Sequence, residues 1–261
     1  MSFLDRILES KKREIAACKN RASPAQVEKA AAARKGYRGF EESLNRTGIR
    51  IIAEIKRASP SKGDINLNLS PADTAGAYAE GGAAALSVLT EPDFFKGSVA
   101  DLQEARNSVQ LPVLRKDFII DPYQVYESAA AGADAILLIV RILDNETLHI
   151  LHSLARNIGL DVLTEVFDMN DARRVAELRA TLVGINNRNL ADFSTDINHA
   201  LSISAQLPEE VSIVTASGIH SRSDIELNLR NGIRRFLIGE ALVKQTYPAA
   251  TLKNWTFYHE N

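Results

Sequence analysis

Short apolar, β-branched runs recur along the chain at 51–55, 84–89, 112–116, 135–140, 161–166, 182–186, 211–215 and 235–238. The stretches between them carry helical spacing, and several open on a cap such as Ser70-Pro71-Ala72-Asp73 or Asp121-Pro122. Gly82-Ala83 and Gly132-Ala133 stand where a helix ends and a strand begins. Strands that alternate with helices predict a parallel sheet, and eight is the number that closes a barrel. A doubly wound open sheet would carry a glycine-rich dinucleotide fingerprint after its first strand. The loop after Ile55 has none. The expected fold is therefore α/β, a (β/α)8 TIM barrel.

Ahead of the first strand the pattern is helical. Phe3, Leu4, Ile7, Leu8 and Ile15 recur at the spacing of an amphipathic helix. Ser23-Pro24-Ala25-Gln26 has the form of a capped helix start, and the alanine-rich helix it opens ends at Lys35-Gly36. Residues 1–48 are expected to be an N-terminal helical extension of one domain spanning 1–261. Its role is either a brace or a lid over a site.

The run Ile51 to Gly63 is the stretch around which the rest is organised. Alternation along a strand puts Ile52, Glu54 and Lys56 on one face and Ile51, Ala53 and Ile55 on the other. A Glu-x-Lys on an edge strand is commonly a solvated ion pair, but isoleucines on both sides predict burial of both faces. In a barrel the working residues sit at the C-terminal strand ends. Those ends deliver Glu54, Lys56 and Ser59 from strand 1, Lys116 from strand 3 and Glu165 from strand 5. Strand 6 adds Asn186 and Arg188, strand 7 Ser217-Gly218, and strand 8 Gly239-Glu240. Polar groups at five or more ends of a closed ring converge on one mouth, which solvation alone does not explain.

Composition narrows the partners. The chain of 261 residues is 45% hydrophobic and 25% charged, with a formal net charge of -2, so it has no electrostatic footprint for nucleic acid or an anionic membrane. No apolar run is long enough to span a bilayer, and Asp5, Arg6, Glu9 and Lys11 break up any signal peptide. The single cysteine, Cys18, cannot form an internal disulfide. These features predict a cytoplasmic protein with no nucleic-acid or membrane partner. They leave the oligomeric state open, with a monomer favoured, and no residue pattern calls for a cofactor or a metal. His149, His152, His199 and His220 fall away from most strand ends and read as structural or surface residues.

The late glycines suggest the ligand. The loops after strands 7 and 8 are the usual barrel phosphate site, and glycine lets backbone approach an anion closely. Glu240 suits such a site only through its backbone. Lys56, Lys116, Glu54 and Glu165 supply proton-transfer capacity. Arg188, with Asn186 and Asn189, can clamp a second, planar anion. Phe95, Phe118, Leu137 and Leu190 are candidates for an aromatic slot, with ordinary packing as the competing role for each.

The stretches Ile52-Ala53-Glu54-Ile55-Lys56-Arg57-Ala58-Ser59-Pro60-Ser61, Leu86-Ser87-Val88-Leu89-Thr90-Glu91 and Phe94-Phe95-Lys96-Gly97-Ser98 stand in order along the chain. Leu114-Arg115-Lys116-Asp117-Phe118, Leu163-Thr164-Glu165-Val166 and Gly184-Ile185-Asn186-Asn187-Arg188-Asn189-Leu190 follow them. Together they resemble the indole-3-glycerol-phosphate synthase family of tryptophan biosynthesis over nearly the whole chain. The resemblance implies closure of the indole ring of 1-(2-carboxyphenylamino)-1-deoxyribulose 5-phosphate with loss of carbon dioxide and water. It implies that Lys116 is the general acid on the substrate ketone, and that Glu54 and Glu165 assist proton removal and dehydration. Lys56 would organise charge and phosphate, and either Lys56 or Glu165 would drive dehydration. Asn186 and Arg188 would orient the anthranilate end, while Ser59, Ser217, Gly218, Gly239 and Glu240 surround the phosphate.

One position departs from that pattern. The family's motif at strand 7 is Glu-Ser-Gly-Ile, and this chain has Ala216-Ser217-Gly218-Ile219. The alternative function is a barrel that still binds the phosphorylated ligand with reduced or lost turnover. Isomerases on related phosphate-binding barrels are a further rival, but they work with carboxylate or Cys/Asp pairs and not with lysines at strands 1 and 3.

Overall fold

A computed structural model describes residues 3–189 and 193–257. Eight parallel strands close into a barrel: β1 (Arg50–Ile55), β2 (Ala85–Leu89), β3 (Val113–Lys116), β4 (Ala135–Ile139), β5 (Asp161–Val166), β6 (Leu182–Asn186), β7 (Ser212–Ala216) and β8 (Arg235–Ile238). Each pairs with its neighbours in sequence, and β8 returns to β1 through Ile51↔Phe236 and Ile52↔Leu237. The closed ring excludes the open doubly wound sheet.

Strand alternation sorts the core into two clusters. Ile52, Leu114, Leu137, Leu163, Val214 and Leu237 fill the barrel's interior. Ile51, Ala53, Ile55, Leu86, Val88 and Ile136 pack outward, against buried helix residues such as Leu102, Val125, Leu151 and Val175. Burial on both faces removes the solvated-edge reading of Glu54 and Lys56. The connecting helices begin as their sequences dictate. Ser70 accepts from the Asp73 N–H, and Asp121 forms a capping box with Gln124, each followed by Pro at the first helical turn.

The extension holds helices α1 (Phe3–Arg21), α2 (Pro24–Ala33) and α3 (Phe40–Leu44). The Ser23–Gln26 capping box opens α2, and Gly36, at φ +74°, carries the chain past its end. α3 closes the bottom of the barrel. Phe40 and Leu44 are fully buried in the interior cluster, and three strand starts hold their surroundings. Arg235 donates to the Leu44 carbonyl at 3.0 Å, Ser212 to Asn45 Oδ1 at 2.7 Å, and Asp161 accepts from the Glu41 N–H at 2.9 Å. α1 lies at the other end, where Phe3, Leu4 and Ile7 face the strand C-termini. The extension thus plugs one end of the barrel and walls the other.

The segment after β1 is more ordered than a plain loop. Ala58–Ser59 and Gly63–Asp64 form a two-residue antiparallel ribbon, with Gly63 turning at φ +65°. Among the described residues no helix is long and apolar enough to cross a membrane.

Candidate active site

One pocket opens at the C-terminal ends of the strands, with about 990 Å3 of empty space when its open mouth is included. Glu54 and Lys56 from β1, Lys116 from β3, Glu165 from β5, and Asn186 and Arg188 from β6 all line it. So do Ser59, Phe95, Phe118, Ser217, Gly218, Gly239 and Glu240.

Two lysine–carboxylate couples stand in this space. Lys56 Nζ lies 2.8 Å from Glu54 Oε1, and Lys116 Nζ lies 3.8 Å from Glu165 Oε2. Burial pushes the Glu54 carboxyl up, yet Lys56, Lys116 and Arg188 outweigh it and hold the group below the ordinary carboxylate value. Asn186 orients the second couple, donating to Glu165 Oε1 at 3.2 Å while its Oδ1 accepts from the Arg188 N–H at 3.0 Å. Arg188 Nη1 donates to Ser61 Oγ at 3.1 Å, and its Nη2 faces Glu240 Oε2 at 3.9 Å.

The turn after β7 is built by backbone geometry. Ser217 and Gly218 have φ of 68° and 77° in succession, a left-handed pair that leaves their backbone facing the pocket. Asn187, itself buried, pins the turn by donating to the Ser217 carbonyl at 3.1 Å and accepting from the Ala200 N–H at 2.8 Å. Gly239 has a different reason to be glycine. A Cβ there would lie 3.0 Å from Glu54 Cβ and Cδ, and closer still to Oε1, so the missing side chain makes room for a carboxylate as much as for a ligand. The Glu240 side chain does not leave the pocket as expected. It is 13% exposed and pairs with Lys244 at 2.7 Å and Lys62 at 3.9 Å.

Phe95 and Phe118 meet with ring centroids 6.3 Å apart and form one wall of the slot. Leu137 does not join them. It lies in the barrel interior, 1% exposed and below the pocket's lining. Leu190 lies outside the described residues. Two groups not among the predicted site residues also line the pocket. Phe3, Leu4 and Ile7 of α1 complete its apolar wall, with Phe3 edge-on to Phe94 at 5.4 Å and to Phe193 at 5.3 Å. His220 stands on the rim, so it is not remote from the site. His199 is structural: it stacks on Phe167 and bonds that residue's carbonyl.

A closed barrel that presents two lysine–carboxylate couples and an arginine to one part-apolar pocket is an enzyme scaffold suited to proton transfer on a small anionic molecule. A sequence model of the indole-3-glycerol phosphate synthase family matches residues 4–255. The indole-3-glycerol phosphate synthase of Desulfosudis oleivorans is 48% identical over 255 residues, covering 96% of this chain and 97% of that protein. The one from Burkholderia vietnamiensis is 44% identical over 259 residues, covering 98% and 99%. The chain belongs to the indole-3-glycerol phosphate synthase family. Among solved structures, 3-hexulose-6-phosphate synthase from Salmonella typhimurium matches with a TM-score of 0.63 at 14% identity, over 80% of this chain and 97% of that one. The N-acetylmannosamine-6-phosphate 2-epimerase from Clostridium perfringens matches with a TM-score of 0.61 at 14% identity, over 86% and 98%. These two likenesses concern the fold alone.

Proposed function

We propose that this enzyme closes the indole ring of 1-(2-carboxyphenylamino)-1-deoxyribulose 5-phosphate with Lys116 as the acid that starts the reaction. The observation that carries the assignment is the Lys116–Glu165 couple, 3.8 Å apart inside the pocket. At that separation the two groups are not locked in a direct hydrogen bond, and a substrate oxygen can reach the ammonium. The substrate's aromatic ring lies against the wall that Phe95 and Phe118 form, with its carboxylate towards the Arg188 fork. The phosphate lies at the backbone around Ser217, Gly218, Gly239 and Glu240, near Ser59 and Lys56.

The steps follow from that pose. The ring carbon bearing the carboxylate attacks the substrate ketone, and the ketone oxygen takes a proton from Lys116. The bond to the carboxylate then breaks, carbon dioxide leaves, and the electron pair returns to the ring. The new hydroxyl departs with a proton as water, and a carboxylate removes the neighbouring carbon's proton to complete the indole double bond. Glu165, oriented by Asn186, serves this second stage. Glu54, kept ionised by the lysines and arginine around it, balances their charge throughout. Cys18, the chain's one cysteine, is unpaired and partly exposed, which supports a reducing, cytoplasmic setting.

The test is growth of indole fluorescence when the purified protein meets this substrate, beside a Lys116→Met variant. We expect turnover in the parent and a loss of about 100-fold or more in the variant, the usual size of a general-acid contribution. A variant as fast as the parent refutes the role of Lys116. Tight binding of a phosphate-bearing analogue without turnover in the parent would instead establish the binding-only reading.

A further inference from the structure

Two features at the mouth belong together. β7 lies between β6 and β8 in the ring, and its last residue, Ala216, pairs with Asn186 on one side and Leu237 on the other. Arg188 stands two residues beyond Asn186, and Glu240 three beyond Leu237. Their side chains nevertheless approach to 3.9 Å, although they come from strands separated by β7. Ala216, Arg188 and Glu240 line the same pocket, so this contact occupies the side of the mouth where an inward side chain at 216 would project. Only a methyl group is there.

We propose that Glu240 supplies the carboxylate on this side of the mouth, in the room that Ala216 leaves, and acts as a positioning residue for Arg188. The inference rests on the proposed function, in which Arg188 receives the substrate's carboxylate. Arg188 is anchored on its Nη1 side by Ser61 Oγ and the Phe193 carbonyl. Glu240 faces Nη2 and sets how the planar fork is turned. The Glu240–Lys244 pair has the spacing of an ordinary surface helix pair, and Lys244 is 55% exposed. The carboxylate itself is 13% exposed and also approaches Arg188 Nη2, which a solvated surface pair does not require. Burial pushes the Glu240 carboxyl up, but Lys244, Lys62 and Lys56 bring it below the ordinary value, so it carries its charge at neutral pH.

A double-mutant cycle tests the proposal, with Glu240→Gln, Ala216→Glu and the pair measured for kcat, KM and binding of the product, indole-3-glycerol phosphate. Glutamine keeps the shape of Glu240 and removes its charge, and circular dichroism verifies the fold of each variant. Glu240→Gln is expected to raise KM about two- to tenfold, a modest coupling for charges just beyond hydrogen-bond distance. Product binding should stay within about twofold, because the product keeps the phosphate but has lost the carboxylate. Ala216→Glu should restore KM when combined with Glu240→Gln and give no gain in the parent, where it adds a like charge. Equal effects of Ala216→Glu in both backgrounds overturn the proposal. So does a loss of product binding as large as the rise in KM, which would assign Glu240 to the phosphate end. A parent protein with no turnover would instead defeat the proposed function, an outcome distinct from either.

Discussion

Replacing Lys11 by methionine probes the joint between the helical extension and the active site. Lys11 Nζ lies 2.7 Å from Asp117 Oδ1 and 2.5 Å from Glu14 Oε2, and its side chain is 1% exposed. Asp117 separates Lys116 from Phe118 in the chain, and its Oδ1 also accepts from the Phe118 N–H at 2.8 Å. Its Oδ2 holds Arg115 at 3.0 Å and Thr90 at 2.6 Å. Removing one partner of a buried pair costs roughly 3–5 kcal/mol when the other is left uncompensated. Here Arg115, Thr90 and the Phe118 N–H remain, and methionine refills the apolar stem, so the lower end applies, about 3 kcal/mol. For a chain of this size each kcal/mol moves Tm by roughly 2–4 °C, a fall of roughly 6–12 °C.

The acid limb of stability carries a second signature of the same joint. Burial pushes the Asp117 carboxyl up, but Arg115 and Lys11 bring it down to about 2, from an ordinary 3.8. A depressed carboxyl contributes stability that is fully present above its unfolded value and lost as pH falls through the folded one. The contribution is worth about 2 kcal/mol, and it should disappear between pH 3.8 and about 2. In Lys11→Met the folded value moves up, so this loss shrinks. Melting curves at pH 7 and through the acid window measure both effects, and steady-state kinetics should show a raised KM as the Phe3–Ile7 wall loosens. A Tm within about 2 °C of the parent at pH 7 would refute the reasoning, since a paired, buried ammonium cannot be removed at that small a cost.

Two other substitutions separate binding from chemistry. Gly239→Ala places a methyl group against Glu54, whose carboxylate must then shift from its 2.8 Å contact with Lys56; kcat should fall about tenfold or more, and an unchanged kcat in a folded variant would mean that the exact placement of Glu54 does not matter. Phe3→Ala removes an edge-on contact to both Phe94 and Phe193 in the apolar wall of the pocket; KM should rise several-fold with kcat within about twofold, and a fall in kcat alone would show that α1 serves the chemistry.

The barrel was legible because period-two alternation survives even in strands buried on both faces. Ile52 and Glu54 could be separated from Ile51, Ala53 and Ile55 by alternation alone, and the interior and outer clusters divide along that line. Strand ends in order then brought Glu54, Lys56, Lys116, Glu165, Asn186 and Arg188 to one mouth. What alternation cannot report is depth. Leu137 is on the correct face, but the stagger of the closed ring pairs it with Leu163 and pairs Ile139 with Glu165, so Leu137 falls one layer below the chemistry. Register between strands is a long-range property, and no local pattern carries it.

The same limit explains the apolar wall. The spacing of Phe3, Leu4 and Ile7 reveals a helix with one apolar face, yet the surface that face meets is decided elsewhere, by a buried ammonium on Asp117 far along the chain. Lys11 offered a usable signal: a lysine inside an otherwise amphipathic helix, four residues from Ile7 and four from Ile15, shares their buried face. A charge on that face demands a buried counter-charge. Asp117, next to the lysine at the end of the third strand, stands where such a partner would seat the helix over the site. Where a helix's apolar stripe contains a charge, the search for its partner identifies which end of the barrel the helix covers.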